Sequence, residues 1–239
     1  MDKPVLKVKN LKKTYKFVPH YIPALSDVSF DIFPGEVVAL LGLNGAGKTT
    51  TVKIILNFIS ADSGETEIFG VDSRFSISRE RLSYLPEKIS LQEELTPSEL
   101  FEFLGRVFNY SETETKQKME YLLEFVKLNG KENLMCGKFS KGMLQRLGLA
   151  MALFHNPEFL ILDEPLTGLD PLGMRMVEDV IIEKKKEGIT MLICSHELDF
   201  IERTASKIII LHEGKVLSNF AKKDISVPLK DFFFKVIAE

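Results

Sequence analysis

A glycine-rich segment near residue 45 has the residue types needed to hold a chain of phosphates. It reads Gly42-Leu43-Asn44-Gly45-Ala46-Gly47-Lys48-Thr49, which is a glycine, four residues, a second glycine, then lysine and threonine. Glycines let successive backbone N–H groups curve around a phosphate, and a helix that begins there adds a favourable dipole. Lys48 can reach the β- and γ-phosphates, and the Thr49 hydroxyl can ligate Mg²⁺.

This segment predicts a nucleoside triphosphate site. A plain glycine-rich turn between a strand and a helix would explain the bend, but not Lys48-Thr49 at the helix start. The residues expected to contact the nucleotide here are Gly42, Asn44, Gly45, Gly47, Lys48, Thr49 and Thr50.

Two acids follow an apolar run later in the chain. Residues 159–162 have the pattern of a buried strand, and Asp163 and Glu164 come directly after it. Ligands of open α/β sheets bind at the carboxyl ends of strands, so both acids are expected to face the phosphates. We predict that Asp163 holds Mg²⁺, usually through water, and that Glu164 accepts a proton from the attacking water. Without the phosphate loop, two acids here would more simply cap a helix or face solvent.

The elements that must position these groups alternate between strand and helix on both sides of a helical stretch. Apolar alternation and short apolar runs predict strands at 28–32, 37–41, 64–70, 159–162, 190–194, 208–211 and 215–217, and helices at 48–58 and 171–187. The last two strands flank Glu213-Gly214, which predicts a hairpin. The sequence therefore indicates an α/β fold.

Between these halves the periodicity becomes helical. Thr96-Pro97-Ser98-Glu99 is a capping box that begins one helix, and Asn129-Gly130 is expected to end a second that contains Met119. Ser140 can cap a third helix, which is expected to run to Asn156-Pro157. The predicted division is one domain with a core of residues 1–87 and 157–239 and a helical subdomain of residues 88–156.

Composition narrows the function classes. The 239 residues are 45% hydrophobic and 27% charged, which supports a substantial core, and the net charge is −3. No basic block suggests a nucleic-acid partner. Cys136 and Cys194 lack metal-ligand spacing, which is typical of a reducing cytosol. No apolar run is long enough to cross a bilayer, so any membrane path must come from another chain.

A segment between the helical stretch and the acids resembles a known motif. Phe139-Ser140-Lys141-Gly142-Met143-Leu144-Gln145-Arg146 is similar to the signature motif of ATP-binding-cassette (ABC) proteins, whose usual form is Leu-Ser-Gly-Gly-Gln. Ser140 and Gly142 match, whereas Phe139, Lys141 and Met143 do not. The Ser-Lys-Gly-Met variant resembles the branch that serves simple exporters of the daunorubicin-resistance kind.

The resemblance covers almost the whole chain, in the family's order. Leu166–Pro171 resembles the D-loop that contacts the second subunit, and Ser195–Leu198 resembles the segment of the switch histidine. Tyr15 lies where the family has an aromatic residue that stacks on adenine, although Phe17 and Tyr21 are neighbouring alternatives. Glu87 replaces a glutamine that is usual in the family.

The resemblance implies an ABC ATPase fold, with a phosphate-loop core, an antiparallel β region and an inserted helical subdomain. It implies ATP with Mg²⁺, and contact of Ser140 and Gly142 with the γ-phosphate of ATP held by the opposite subunit. It gives His196 the task of holding the attacking water near the γ-phosphate. Glu87 is either a further Mg²⁺ ligand that senses a membrane partner or a solvated loop acid. Lys141 either strengthens phosphate attraction or is solvated.

The function implied is that of an ATP-hydrolysing subunit that powers transport, with export favoured by the signature variant. It would work as a head-to-tail dimer, with a second copy or a related cassette, and would lie on the cytoplasmic face of the membrane. A separate integral membrane permease would dock in a groove formed by the helical subdomain and the loop around Glu87. An importer subunit is the nearest alternative. A cassette ATPase that acts on ribosomes or DNA would be expected to have tandem cassettes or a long coiled-coil insertion, and a GTPase would be expected to have the motif Asn-Lys-x-Asp. None of these three features is found in this sequence.

Overall fold

A computed structural model describes residues 3–17 and 19–238, with the side chain of Phe17 outside that description. The strands are β1 (Leu6–Phe17), β2 (His20–Ile32), β3 (Val37–Leu41), β4 (Ser63–Ile68), β5 (Val71–Asp72), β6 (Leu82–Leu85), β7 (Phe159–Asp163), β8 (Thr190–Ser195), β9 (Lys207–His212) and β10 (Lys215–Ala221). The helices are α1 (Lys48–Ile55), α2 (Pro97–Val107), α3 (Glu112–Phe125), α4 (Lys141–Leu153), α5 (Pro171–Lys186), α6 (Leu198–Thr204) and α7 (Leu229–Ala238).

The strands of the described ranges form one mixed sheet in the order β5-β4-β1-β2-β10-β9-β3-β8-β7-β6. The run from β9 to β6 is parallel, and every residue of β3, β7 and β8 is buried, as expected for strands covered on both faces. The long hairpin of β1 and β2 is antiparallel and joins the rest through β10, where Lys215 pairs with Asp27. The fold is the α/β phosphate-loop architecture with an antiparallel region that the sequence and its family resemblance predicted.

Helices α2, α3 and α4 follow β6 and precede β7. Thr96 begins α2 with the predicted capping box, in which its hydroxyl accepts from the Glu99 amide and the Glu99 carboxylate accepts from the Thr96 amide. Ser140 caps α4 as predicted, because its Oγ accepts from the Met143 amide at 3.2 Å. The limits at residues 87 and 157 for a helical subdomain remain a prediction.

Several boundaries differ from the sequence-based expectations. Helix α1 was expected to reach residue 58 but ends at Ile55, and Asn57 then adopts a left-handed backbone with φ 58°. The expectation that Asn129-Gly130 ends α3 is wrong, because the helix stops at Phe125 and Lys127 takes φ 57°. The guanidinium of Arg146 donates to the free carbonyl groups of Val126 and Lys127 at that end.

The last helix, α7, packs on the core. Leu229 and Phe233 of α7 are buried against the main core, which favours packing on the same chain. In residues 3–17 and 19–238, no helix combines the length and the apolar character needed to span a bilayer.

Candidate functional site

The phosphate loop connects β3 to α1 and is enclosed by distant parts of the chain. Gly47 lies at the start of α1 with φ 109°, a conformation that favours glycine. A Cβ atom on Gly42 would lie 2.3 Å from the carbonyl oxygen of Leu211 in β9, so only glycine fits there. The amide of Gly214, in the turn after β9, donates to the carbonyl of Ala46 at 3.0 Å. The loop is therefore held in shape by the β9–β10 hairpin.

Lys48 extends from the start of α1 back into this loop. The side chain is buried, and its Nζ donates to the carbonyl of Gly42 at 2.7 Å and to that of Leu43 at 3.4 Å. The same Nζ lies 3.7 Å from Oε1 of Glu164. Asn44 and Gly45 are exposed, so the outer edge of the loop is open to a ligand. The ammonium group thus lies between the loop and the predicted general base.

Glu164 and His196 meet at the carboxyl ends of neighbouring parallel strands. Oε2 of Glu164 lies 2.9 Å from Nδ1 of His196, and the histidine is half-exposed. Glu164 follows β7 with φ 48°, and its amide donates to the carbonyl of Cys194 in β8 at 2.8 Å. A carboxylate held by a histidine in this way has the geometry of a base with an orienting partner.

Asp163 is buried at the end of β7, and its Oδ1 has no hydrogen-bond partner. Burial, helped by the nearby charges of Glu164 and Glu87, raises the pKa of Asp163 to about 6, while Lys48 and the hydroxyl of Thr49 act in the opposite direction. A buried carboxylate with a free oxygen, beside a threonine hydroxyl, is a donor set that suits Mg²⁺. The residues present therefore fit this ion.

Glu87 is exposed, two residues after β6, and its charge reaches the Asp163 carboxylate strongly enough to raise that pKa. In the described ranges, no cluster of three or more His, Cys, Asp or Glu side chains has the arrangement of a metal centre. Glu87 therefore lies near the predicted Mg²⁺ ligands without forming a shared cluster with them, and both interpretations of its role stay open.

The sequence analysis missed Tyr84, which lies within this site. Burial, with a further contribution from Asp163, raises the pKa of its phenol well above the ordinary value. The only sequence signal was its position in β6, three residues before Glu87. Cys194 was also missed as a neighbour; it is buried beside Asp163 in the sheet register, and burial raises the pKa of its thiol.

The strand register separates the aromatic candidates for adenine stacking. Tyr15 of β1 is opposite Ile22 of β2, and Lys16 is opposite Tyr21, so Tyr15 and Tyr21 point to opposite faces of the hairpin. The Tyr15 hydroxyl lies 3.4 Å from Oγ1 of Thr50 in α1, which places the ring on the face of the phosphate loop. The side chain of Phe17, the third candidate, lies outside the described residues.

Ser140 and Gly142 lie at the start of α4 and form a second group. Ser140 is exposed, and because its Oγ accepts from a backbone amide, its hydroxyl hydrogen is available to an anion. A Cβ atom on Gly142 would lie 3.2 Å from the carbonyl oxygen of Gly168, in the segment that follows Glu164. Lys141 is exposed. In the part of the chain that is described, no hydrogen bond or ion pair joins Ser140 to the phosphate loop.

Comparisons with known proteins identify the family of this chain. The sequence profile of the family described as ABC transporter matches residues 25–167. The bacitracin transport ATP-binding protein BcrA of Bacillus licheniformis is 37% identical over 89% of this chain and 68% of its own length. The solved structure of an ATP-binding subunit of an ABC transporter is 32% identical, has a TM-score of 0.88, and covers 98% of this chain and 99% of its own.

A second solved structure is a dimer. The ATP-binding cassette MJ0796 in a post-hydrolysis state, bound to ADP and Pi, is 26% identical with a TM-score of 0.83, over 91% of this chain and 98% of its own. The chain therefore belongs to the ABC transporter family, as an ATP-binding subunit of transporters that hydrolyses ATP with Mg²⁺ as the partner ion.

Proposed function

We propose that this subunit powers export through a separate membrane permease, as a head-to-tail dimer with ATP between two copies or between this chain and a related cassette. The observation that carries the proposal is the separation of two phosphate-binding groups on one chain. Lys48 is buried within the phosphate loop beside Glu164, whereas Ser140 is exposed at the start of α4. An exposed donor at a helix start is available to a nucleotide on a facing subunit.

Within each site, the residues of this chain have separate tasks. The backbone of the loop and Lys48 bind the phosphates, and the exposed hydroxyl of the facing Ser140 donates to the γ-phosphate. Glu164 takes the proton of the attacking water, and His196 orients Glu164 through the contact of 2.9 Å. Asp163 and Thr49 would hold Mg²⁺, with Glu87 as a further oxygen donor; the ion would neutralise charge on the phosphates.

The dimer is tested with Glu164→Gln, which keeps the shape of the side chain and removes the base. Saturating Mg-ATP is expected to convert this variant from monomer to dimer in light-scattering chromatography, because bound ATP persists at the interface. Adding Ser140→Ala should abolish the dimer while ATP still binds. Ser111→Ala is the matched control, since Ser111 caps α3 through the same kind of bond but is not placed near a nucleotide. A Glu164→Gln protein that stays monomeric with Mg-ATP, also beside its permease, would contradict the proposal.

Support for a permease partner comes from an exposed aromatic side chain close to the strand that leads to Glu87. The ring of Phe58 is 63% exposed and contacts Tyr84, which lies on the strand that leads to Glu87. Single exposed apolar side chains are common, but a large exposed ring beside the strand that leads to Glu87 suits an apolar helix of a membrane partner. That partner would hold the subunit on the inner face of the membrane.

This contact is tested by co-purification from membranes. The Phe58→Glu variant is expected not to co-purify with the permease, while its binding of ATP in solution is retained. Phe33→Glu, at an exposed phenylalanine between β2 and β3, is the control and should still co-purify. Export is supported by the similarity to the Nod factor export ATP-binding protein I of Burkholderia thailandensis, which is 35% identical, and by the Ser-Lys-Gly-Met variant, which resembles the daunorubicin-resistance branch. ATP-driven accumulation of cargo inside inverted vesicles would agree with export; ATP-driven loss from them would show import.

A further inference from the structure

Gln145 lies in the middle of α4 and has an unusual environment for an amide. The residue is 4% exposed, and its Nε2 donates to the carbonyl oxygen of Pro165 at 3.3 Å. Buried side-chain amides are retained in a core only when they are hydrogen-bonded, because an unpaired one is costly. The partner here is the residue directly after Glu164. The contact therefore joins the helix that begins at Ser140 to the backbone of the catalytic base.

Glu164 needs such support because its own backbone is strained. A φ of 48° is sparsely populated for a residue with a side chain, and such conformations persist only where neighbouring contacts hold them. Two backbone bonds contribute: the Glu164 amide donates to Cys194, and the Thr167 amide donates to the Glu164 carbonyl at 3.1 Å. Both come from the adjoining strand or from the turn itself. In the described residues, Gln145 is the side chain from outside this turn that hydrogen-bonds to its backbone.

Helix α4 and the turn after Glu164 also pack closely nearer to Ser140. A Cβ atom on Gly142 would meet both the Gly168 carbonyl and, at 3.4 Å, the Leu169 side chain. Ser140 and Gln145 are five positions apart on one helix, a rise of about 8 Å. A displacement of the helix start is thus transmitted to the amide of Gln145 without a flexible segment between them.

We propose that Gln145 is a positioning residue that couples the two ATP sites of a dimer. When Ser140 engages ATP held by the facing subunit, α4 is fixed, and the amide of Gln145 holds the Pro165 carbonyl so that Glu164 of its own subunit keeps its active orientation. This inference rests on the proposed head-to-tail dimer. It gives each subunit a physical link from the neighbour's nucleotide to its own base.

The test is Gln145→Met, which keeps the length of the side chain and removes the donor. The expected result is a kcat for ATP lowered about three- to tenfold, the range that corresponds to about 0.7–1.4 kcal/mol of barrier. The KM for ATP should be unchanged, because the phosphate loop is untouched. Gln117→Met, the same change on an exposed position of α3, is the control and should hydrolyse ATP like the original protein. Gln145→Leu is the second variant if Gln145→Met unfolds at the assay temperature.

A double-mutant comparison separates positioning from a general loss of structure. If Gln145 acts through Glu164, then Gln145→Met should not lower the residual hydrolysis of Glu164→Gln any further. An additive loss, or a rise in KM with unchanged kcat, would overturn the inference.

The dimer is measured in the same Glu164→Gln background. No dimer with Mg-ATP would refute the proposed function itself. A normal dimer, together with full activity of Gln145→Met in the otherwise unaltered protein, would refute the coupling alone.

Discussion

The ionised carboxylate of Asp163 is expected to destabilise the folded protein. Asp163→Asn should therefore raise the free energy of unfolding when no nucleotide or Mg²⁺ is present. The carboxylate is 1% exposed and one of its oxygens has no partner. Its pKa is about 6 against an ordinary value of 3.8. At about 1.4 kcal/mol per pKa unit, keeping this group ionised in the folded chain at pH 8 costs about 3 kcal/mol. Asparagine has the same shape and carries no charge.

The pH dependence follows from the sign of this change. Because the folded protein binds the proton more tightly than the unfolded chain, the carboxyl imposes no penalty below about pH 3.8. Its penalty grows as the pH rises and is complete above about pH 6. The advantage of Asp163→Asn should therefore be about 3 kcal/mol at pH 8 and only about 0.5 kcal/mol at pH 4.

The assay is urea unfolding in EDTA at both pH values, followed by circular dichroism. Asp224→Asn makes the same chemical change at an exposed position and should alter the free energy of unfolding by less than about 0.5 kcal/mol at either pH. Hydrolysis of Mg-ATP by Asp163→Asn should nevertheless be lost, since an amide is a weaker ligand for Mg²⁺ than a carboxylate. An Asp163→Asn protein that is less stable than the original at pH 8, or equally more stable at both pH values, would refute the reasoning.

Three further changes test other parts of the structure. Tyr15→Ala should weaken ATP binding by about 1–3 kcal/mol in calorimetry, because the stacking of the ring on adenine is lost. Tyr21→Ala, on the other face of the hairpin, should leave the Kd for ATP unchanged. A larger loss of affinity from Tyr21→Ala than from Tyr15→Ala would contradict the argument from the strand register. Arg203→Met should lower the free energy of unfolding in urea by about 3 kcal/mol, because the 5%-exposed carboxylate of Glu178 loses its main partner. Glu178→Met should lower it by only about 1 kcal/mol, since the half-exposed arginine can be hydrated. Equal losses for the two variants would count against charge burial as the cause. Gly64→Ala should lower the free energy of unfolding by about 2 kcal/mol or more, because φ is 98° and the new Cβ would lie 2.5 Å from the carbonyl oxygen of Asn10 in β1. An unaltered midpoint of urea unfolding would show that β1 can move away from the new methyl group.

The sequence was most informative where chemistry and local geometry coincide. The spacing from Gly42 to Thr49 requires a strand before it and a helix after it, and both are present. The rule that ligands bind at the carboxyl ends of strands predicted the position of Asp163 and Glu164 at the site. In the structure, Glu164 lies within reach of Lys48 and His196. The roles of these side chains in hydrolysis remain predictions.

The remaining features depend on contacts between distant residues, which periodicity does not record. Strand β1 and the first half of β2 were not predicted; in β1, Lys12, Lys13 and Lys16 interrupt the apolar alternation. Helix α3 stops at Phe125, and the carbonyl groups of Val126 and Lys127 just beyond it accept hydrogen bonds from Arg146, a residue distant in the sequence. The bond from Gln145 to Pro165 and the position of Tyr84 beside Asp163 likewise arise only after the chain has folded.

The place of β3 in the sheet has a consequence for synthesis of the chain. The two neighbours of β3 in the sheet, β8 and β9, are residues 190–195 and 207–212. Both strands lie beyond residue 167, where the match to the family profile ends. A nascent chain that has already emerged with the phosphate loop, helix α4, Asp163 and Glu164 still lacks both strands that pair with β3. Non-local pairing of this kind is slow and leaves apolar edges exposed in the meantime. The nucleotide pocket must therefore mature late in translation, and chaperone contact should be most frequent on chains stalled shortly before β9.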